Sequence, residues 1–148
     1  MRKALIALTT IAVASLGAVV PASAAEAAGC ASAKSAALSG YMYAYDSINC
    51  SGHLGHAKGD DLDWGDSAGS FQGSDTNRAS SILNKGVNYE VAFYNGTGSG
   101  GGGYICLSRA EGYASNLTDD YFTTGYSANN SISSHKWSAH SSCSNWAV

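Results

Sequence analysis

Apolar and polar positions along this chain alternate too quickly for long helices. Beyond the first two dozen residues, aromatic and aliphatic side chains come in short runs separated by Gly, Ser, Thr and Asn, with no long run of period 3.6. That pattern predicts short strands joined by tight turns. The clearest strands are Tyr41–Tyr45, Tyr89–Tyr94 and Tyr104–Leu107, with shorter ones over Ser80–Leu83 and Ser131–Ser134. In the second, Tyr89, Val91 and Phe93 alternate with Glu90, Ala92 and Tyr94, as in a strand buried on one face. Gly96–Gly103 reads as a glycine-rich loop rather than a phosphate cradle, because no Gly-Lys-Ser/Thr follows and no helical pattern opens after it.

The opening segment has a different pattern. Arg2 and Lys3 precede a mostly apolar run from Ala4 to Val20, Pro21 ends it, and Ala22-Ser23-Ala24 supplies small residues. This is the layout of a secretory signal peptide, with cleavage expected after Ala24. The run is too short and too weakly apolar for a comfortable membrane anchor. Ala27-Ala28-Gly29-Cys30 is a poor lipobox, since it lacks the large aliphatic residue three places before the cysteine. Residues 1–24 are therefore read as a leader and 25–148 as one domain, of a size that can bury its own core.

Export changes the charge. The precursor's eight Lys and Arg lose Arg2 and Lys3, whereas all eleven Asp and Glu follow the cut, so the exported part is more acidic than the precursor's formal −3. An acidic surface repels phosphate backbones and argues against nucleic acid as a partner. Nothing after Val20 is apolar for long enough to enter a bilayer. Cys30, Cys50, Cys106 and Cys143 form an even set, which in an exported protein reads as two disulfides. Three pairings are possible. Cys30–Cys50 with Cys106–Cys143 is favoured because each bridge then stays within one half of the chain.

The chain repeats. Tyr45-Asp46 is followed by Gly52 and then by Asn77-Arg78-Ala79-Ser80-Ser81, and Tyr94-Asn95 by Gly101 and then by Asn130-Ser131-Ile132-Ser133-Ser134. Two duplicated all-β units, each too small for a core of its own, should pack face to face as a sandwich. Asn129-Asn130-Ser131-Ile132-Ser133-Ser134 fits the pattern Asn/Asp, Asn/Asp, any, any, Ser/Thr, Ser, and Thr76-Asn77-Arg78-Ala79-Ser80-Ser81 departs from it only at Thr76. Hard oxygens clustered on a tight turn suit calcium. The same residue types also close turns through their own backbone.

On these motifs the sequence resembles the βγ-crystallin family over most of residues 25–148. The resemblance implies an all-β, βγ-crystallin-like sandwich of two Greek-key motifs. The family's aromatic-x4-aromatic-x-Gly signature is spaced correctly from Tyr45 to Gly52 and from Tyr94 to Gly101, with Cys50 and Ser99 in the second aromatic place. By the same resemblance, calcium sites cross between motifs. The first takes the carbonyls of Asp46 and Arg78, the Ser80 hydroxyl and the Asn130 amide oxygen. The second takes the carbonyls of Asn95 and Ser131, the Ser133 hydroxyl and the Asn77 amide oxygen. Neutral amides and the cation of Arg78 imply weak Ca2+ binding, about 10⁻⁴–10⁻³ M as in other extracellular modules. The leader, the Tyr45-Asp46 and Cys50-Ser51-Gly52 opening, and Ala79-Ser80-Ser81 before Ile82-Leu83-Asn84 also resemble peptidase inhibitor family thirty-six. That resemblance implies a secreted, non-enzymatic inhibitor of extracellular metalloproteinases, here expected as a monomer. Rival readings are a calcium-stabilised structural or stress-related module and a small secreted hydrolase or toxin on the same fold.

Other clusters point to less. Asp60, Asp61, Asp63 and Asp66 lack the Gly and terminal Glu of an EF-hand and read as a solvated acidic turn. His53 with His56, and His135 with His140, read as surface histidines, since no HExxH helix accompanies them. Trp64, Trp137 and Trp146 read as core residues before a sugar-binding face. No Gly-x-Ser-x-Gly elbow marks a nucleophile. Asn49, Asn95, Asn116 and Asn129 head formal glycosylation triplets.

Overall fold

The computed structural model describes residues 22–98 and 101–148. The leader reading over residues 1–21, and Ser99 in the second signature, lie outside them. Among the described residues, seven strands form two antiparallel sheets: β1 (Met42–Ser47), β2 (Ser51–Ala57), β3 (Ser81–Asn84), β4 (Glu90–Tyr94), β5 (Tyr104–Leu107), β6 (Tyr113–Ala114) and β7 (Ser134–Ser138). One sheet has the order β2-β1-β3-β6 and the other β5-β4-β7. A bridge from Asp61 to His135 extends the second sheet beyond β7. The correspondence between halves is then complete: β1, β2 and β3 match β4, β5 and β7. The third segment of each half, Asp61 or β6, pairs with the other half's last strand.

The repeat, the sandwich and the two disulfides Cys30–Cys50 and Cys106–Cys143 are as expected. Three differences have local causes. First, α1 (Ala22–Ala36) is helical across the expected cleavage point. Its composition is dominated by alanine, the strongest helix former, so no apolar period was needed to signal it. From Gly29 onward it is clamped to the sheet. A Cβ at Gly29 would lie 2.6 Å from the Asn49 carbonyl oxygen, so only glycine admits this approach beside the Cys30–Cys50 bridge. Lys34 donates from Nζ to the Glu111 carbonyl (3.1 Å), and Lys85 Nζ donates to that of Lys34 (2.8 Å).

Second, β7 starts at Ser134 rather than spanning Ser131–Ser134, because Asn130 turns the chain with φ 53° and Ile132 drops into the core. Third, β4 is buried on both faces: Glu90, Val91, Ala92 and Phe93 are all covered, while Tyr89 is exposed. Being central between β5 and β7, it lacks the solvated face that its alternation suggested.

Between the sheets lie Met42, Ala44, Ile82, Val91, Phe93, Ile105 and Leu107, with Trp64, Phe71, Leu117, Phe122 and Ile132 supplied by loops. Trp64 stacks on Phe71 at 4.0 Å between centroids. Beneath that stack, Phe71 meets β2 at Gly55, where a Cβ would come within 2.8 Å of Phe71 Cε1. Truncating Phe71 to alanine should cost about 3–5 kcal/mol. Gly55→Ala, which forces the ring aside, should cost about 1–3 kcal/mol. Urea unfolding midpoints measure both, and wild-type stability in either variant would contradict this packing.

Candidate functional site

Two turns meet at the seam between the sheets, and each is built by its own half to fit the other. Asn77 (φ 57°) and Asn130 (φ 53°) occupy the left-handed region that asparagine enters more readily than most residues. The bend frees each backbone N–H to cross the seam. Asn77 N–H donates to the Ile132 carbonyl (2.8 Å) and Asn130 N–H to that of Ala79 (2.9 Å). Three residues past each asparagine, a serine is anchored to its own half's first strand. Ser80 N–H donates to the Tyr45 carbonyl (2.8 Å) and Ser133 N–H to that of Tyr94 (2.9 Å).

The side chains repeat this exchange. The Ser80 hydroxyl donates to the Asn130 amide oxygen at 3.1 Å, and the Ser133 hydroxyl to the Asn77 amide oxygen at 3.0 Å. The Asn95 carbonyl lies 3.5 Å from the Ser133 hydroxyl. The two crossed side-chain pairs named from sequence are thus together, and so is Asn95. Arg78 and Ser131 hold equivalent places in the two turns, each between its left-handed asparagine and its crossing serine. Ser131 also donates its hydroxyl to the Asn129 carbonyl at 3.1 Å.

The halves differ in charge. Asp46 follows Tyr45, and its carboxylate takes Arg78 in a forked pair, Nη2 to Oδ2 at 2.7 Å and Nε to Oδ1 at 3.3 Å. The hydrogen bond to Asp46, then its charge, raises the Arg78 pKa. At the second turn Asn95 and Ser131 are neutral. Among the described residues no group of three or more His, Cys, Asp or Glu gathers to hold a metal.

The remaining candidates resolve by burial. The acidic loop is solvated at Asp60 and Asp66, half-exposed at Asp63 and buried at Asp61. Asp61 is buried and accepts from the backbone N–H groups of Ser70 (3.0 Å) and Phe71 (3.1 Å), Asp60 accepts from Trp137, Asp63 from Gly65 and Asp66 from Ala68. These carboxylates are used to shape the loop that carries Trp64 and Phe71 into the core. His135 is not a surface residue either. It is fully buried, and its Nδ1 accepts from Trp64 Nε1 at 3.0 Å. Indole only donates, so the His135 proton sits on Nε2, which donates to the Gly59 carbonyl (3.0 Å). Burial holds its pKa below the ordinary value. His140 lies apart from it, exposed, 3.3 Å from the buried carboxylate of Glu90 and stacked on Trp146. His53 and His56, by contrast, do come together, with Nε2 and Nδ1 at 3.4 Å. Burial, and secondarily the neighbouring ring of His56, lower the pKa of His53.

No family model and no curated protein matches the sequence. In shape, the chain is similar to a solved structure described as "Evolution of the eye lens beta-gamma-crystallin domain fold". The match covers 70% of this chain and 89% of that one, with a TM-score of 0.52 and 20% sequence identity. Identity that low speaks for fold alone, and the fold is that of a βγ-crystallin domain, two Greek keys with crossed turns.

Asp120 belongs to the loop that delivers Asn129 and Asn130, with its carbonyl accepting from Ala128 N–H at 2.8 Å. Its carboxyl is buried, and burial, with a smaller contribution from Asp119, pushes its pKa up to about 6 against the weaker opposing hydrogen bond from Val148. The folded state therefore holds this proton more tightly than the unfolded chain. Stability falls as pH rises from the ordinary carboxylate range to about 6, and the full cost is present at neutral pH. On moving from pH 4 to pH 7, the stability of Asp120→Asn relative to wild type should improve by about 2 kcal/mol. Urea melts at the two pH values measure this, and a constant difference would refute the buried carboxyl.

Proposed function

We propose that this protein is a secreted, non-enzymatic binding module that takes Ca2+ weakly at its two crossed turns. The observation that carries the reading is the reciprocal pairing of Ser80 with Asn130 and Ser133 with Asn77, at 3.1 and 3.0 Å. Two oxygens at that separation can both lie within the roughly 2.3–2.6 Å that calcium requires. To admit a cation, each serine hydroxyl need only turn its proton away from the asparagine oxygen, staying neutral. Ser80, Asn130, Asp46 and Arg78 would hold one ion, and Ser133, Asn77, Asn95 and Ser131 the other, through the hydroxyl, amide and carbonyl oxygens assigned above. Such an ion would cross-link the halves where the turns meet. The two disulfides, and the absence of a membrane-crossing helix among the described residues, are compatible with an extracellular setting.

An extracellular peptidase is the partner class that the inhibitor-family resemblance supplies. Its support is that resemblance in sequence, carried on a β scaffold in which one disulfide closes each half. Inhibition is tested by assaying a thermolysin-type protease with a large molar excess of the protein. Full residual activity would count against it.

For calcium, thermal melting in chelator and in millimolar Ca2+ should show stabilisation. Each site contributes about 1.4 kcal/mol when calcium is about tenfold above Kd. Ser80→Ala with Ser133→Ala should remove the shift and leave a folded protein by circular dichroism. An unchanged melting temperature in wild type at millimolar calcium would end the proposal.

A further inference from the structure

The geometry points to a second, chemically different metal site, in which His53 and His56 take one zinc ion on the outer face of the first sheet. Residues three apart on a regular strand face opposite sides. Here a bulge intervenes: Ala44 pairs with Gly55 but Tyr45 pairs with His53, leaving Leu54 as the extra residue. Leu54 packs against the core and Gly55 is buried, so His53 and His56 emerge on the same side, opposite Tyr45 and Tyr43.

The two rings are positioned for a shared ligand. His53 Nε2 and His56 Nδ1 stand 3.4 Å apart. That is long for a hydrogen bond, whose usual donor–acceptor range ends near 3.2 Å. It matches the roughly 3.3–3.4 Å between two nitrogens each about 2.0–2.1 Å from a tetrahedral zinc ion. A right-angled arrangement of the kind copper(II) prefers would need about 2.9 Å, so zinc asks for less movement.

The surroundings hold the pair in place. Tyr43 lies against both imidazoles, at 5.1 Å from His56 and 5.9 Å from His53, Tyr45 is 5.8 Å from His53, and Tyr41 is 5.5 Å from His56. Tyr43 is fixed in turn by the Leu38 N–H donated to its hydroxyl at 2.9 Å. Both histidines are exposed, and β2 is the sheet's edge strand, so an ion can enter and water can complete its coordination. Imidazole selects zinc over calcium, whereas the oxygen-lined turns do the reverse. The inference stands independently of the calcium reading.

The test is calorimetric titration of the disulfide-intact protein, carrying no added histidine tag, with Zn2+ alone, followed by NMR of the imidazole resonances. One equivalent should bind, shifting the His53 and His56 signals. His53→Gln or His56→Gln should each weaken binding by more than about tenfold, since even outer partners of a metal ligand are worth that much. His140→Gln, removing the exposed imidazole beside Glu90, should leave binding unchanged. Absence of binding at millimolar zinc would overturn the proposal. So would wild-type affinity in His53→Gln or His56→Gln, or loss of binding in His140→Gln alone.

Discussion

Two asparagines in left-handed backbone conformation, Asn77 and Asn130, join the two halves of this molecule. Each bends its chain so that an N–H and an amide oxygen cross the seam, and each finds its partner in the equivalent turn of the other half. Neither turn is complete alone. The same reciprocity appears in the sheets, where Asp61 pairs with β7 and β6 pairs with β3. A core made of two such units is shared rather than added, which is why halves too small to bury a core separately can fold together.

The exchange also explains where loop residues go. The segment that carries Asp61 across to β7 must return over the sandwich, and it fills the space it spans with Trp64 and Phe71. Its carboxylates serve this path: Asp61 satisfies the buried N–H of Phe71, while Trp64 and His135 satisfy each other. Trp64 and Phe71 of this acidic loop thereby join the core, while residues 65–70 between them stay exposed. Outside the sandwich, α1 and the residue after it cover a different apolar surface, with Ala33 and Ala37 against Tyr43, Tyr45 and Leu83.

The two proposed metal sites would use different features of one scaffold. At the seam, neutral oxygens come within coordinating distance of one another because symmetry requires it. On the outer sheet face, a single inserted residue turns two imidazoles to the same side. The forked Arg78–Asp46 pair sits on one half only, so the duplicated turns are equivalent in backbone and unequal in charge.

Features that depend on local chemistry or on counting were legible in the sequence. It marked the duplicated turn motifs, the strands at Tyr104–Leu107 and around Met42, and the favoured pairing of four cysteines. Similarity of the two motifs also pointed, through the family resemblance, to Ser80 with Asn130 and Ser133 with Asn77. The helix at Ala22–Ala36 escaped because propensity without periodicity leaves no amphipathic signature. Burial and facing came from contacts between distant segments. Whether His135 is core or surface depends on Trp64, seventy-one residues away, and on the Asp61 crossover. Whether His53 and His56 share a face depends on a bulge defined by the register of β2 against β1. Register and solvent exposure are relations between distant segments, so no local run of residues encodes them.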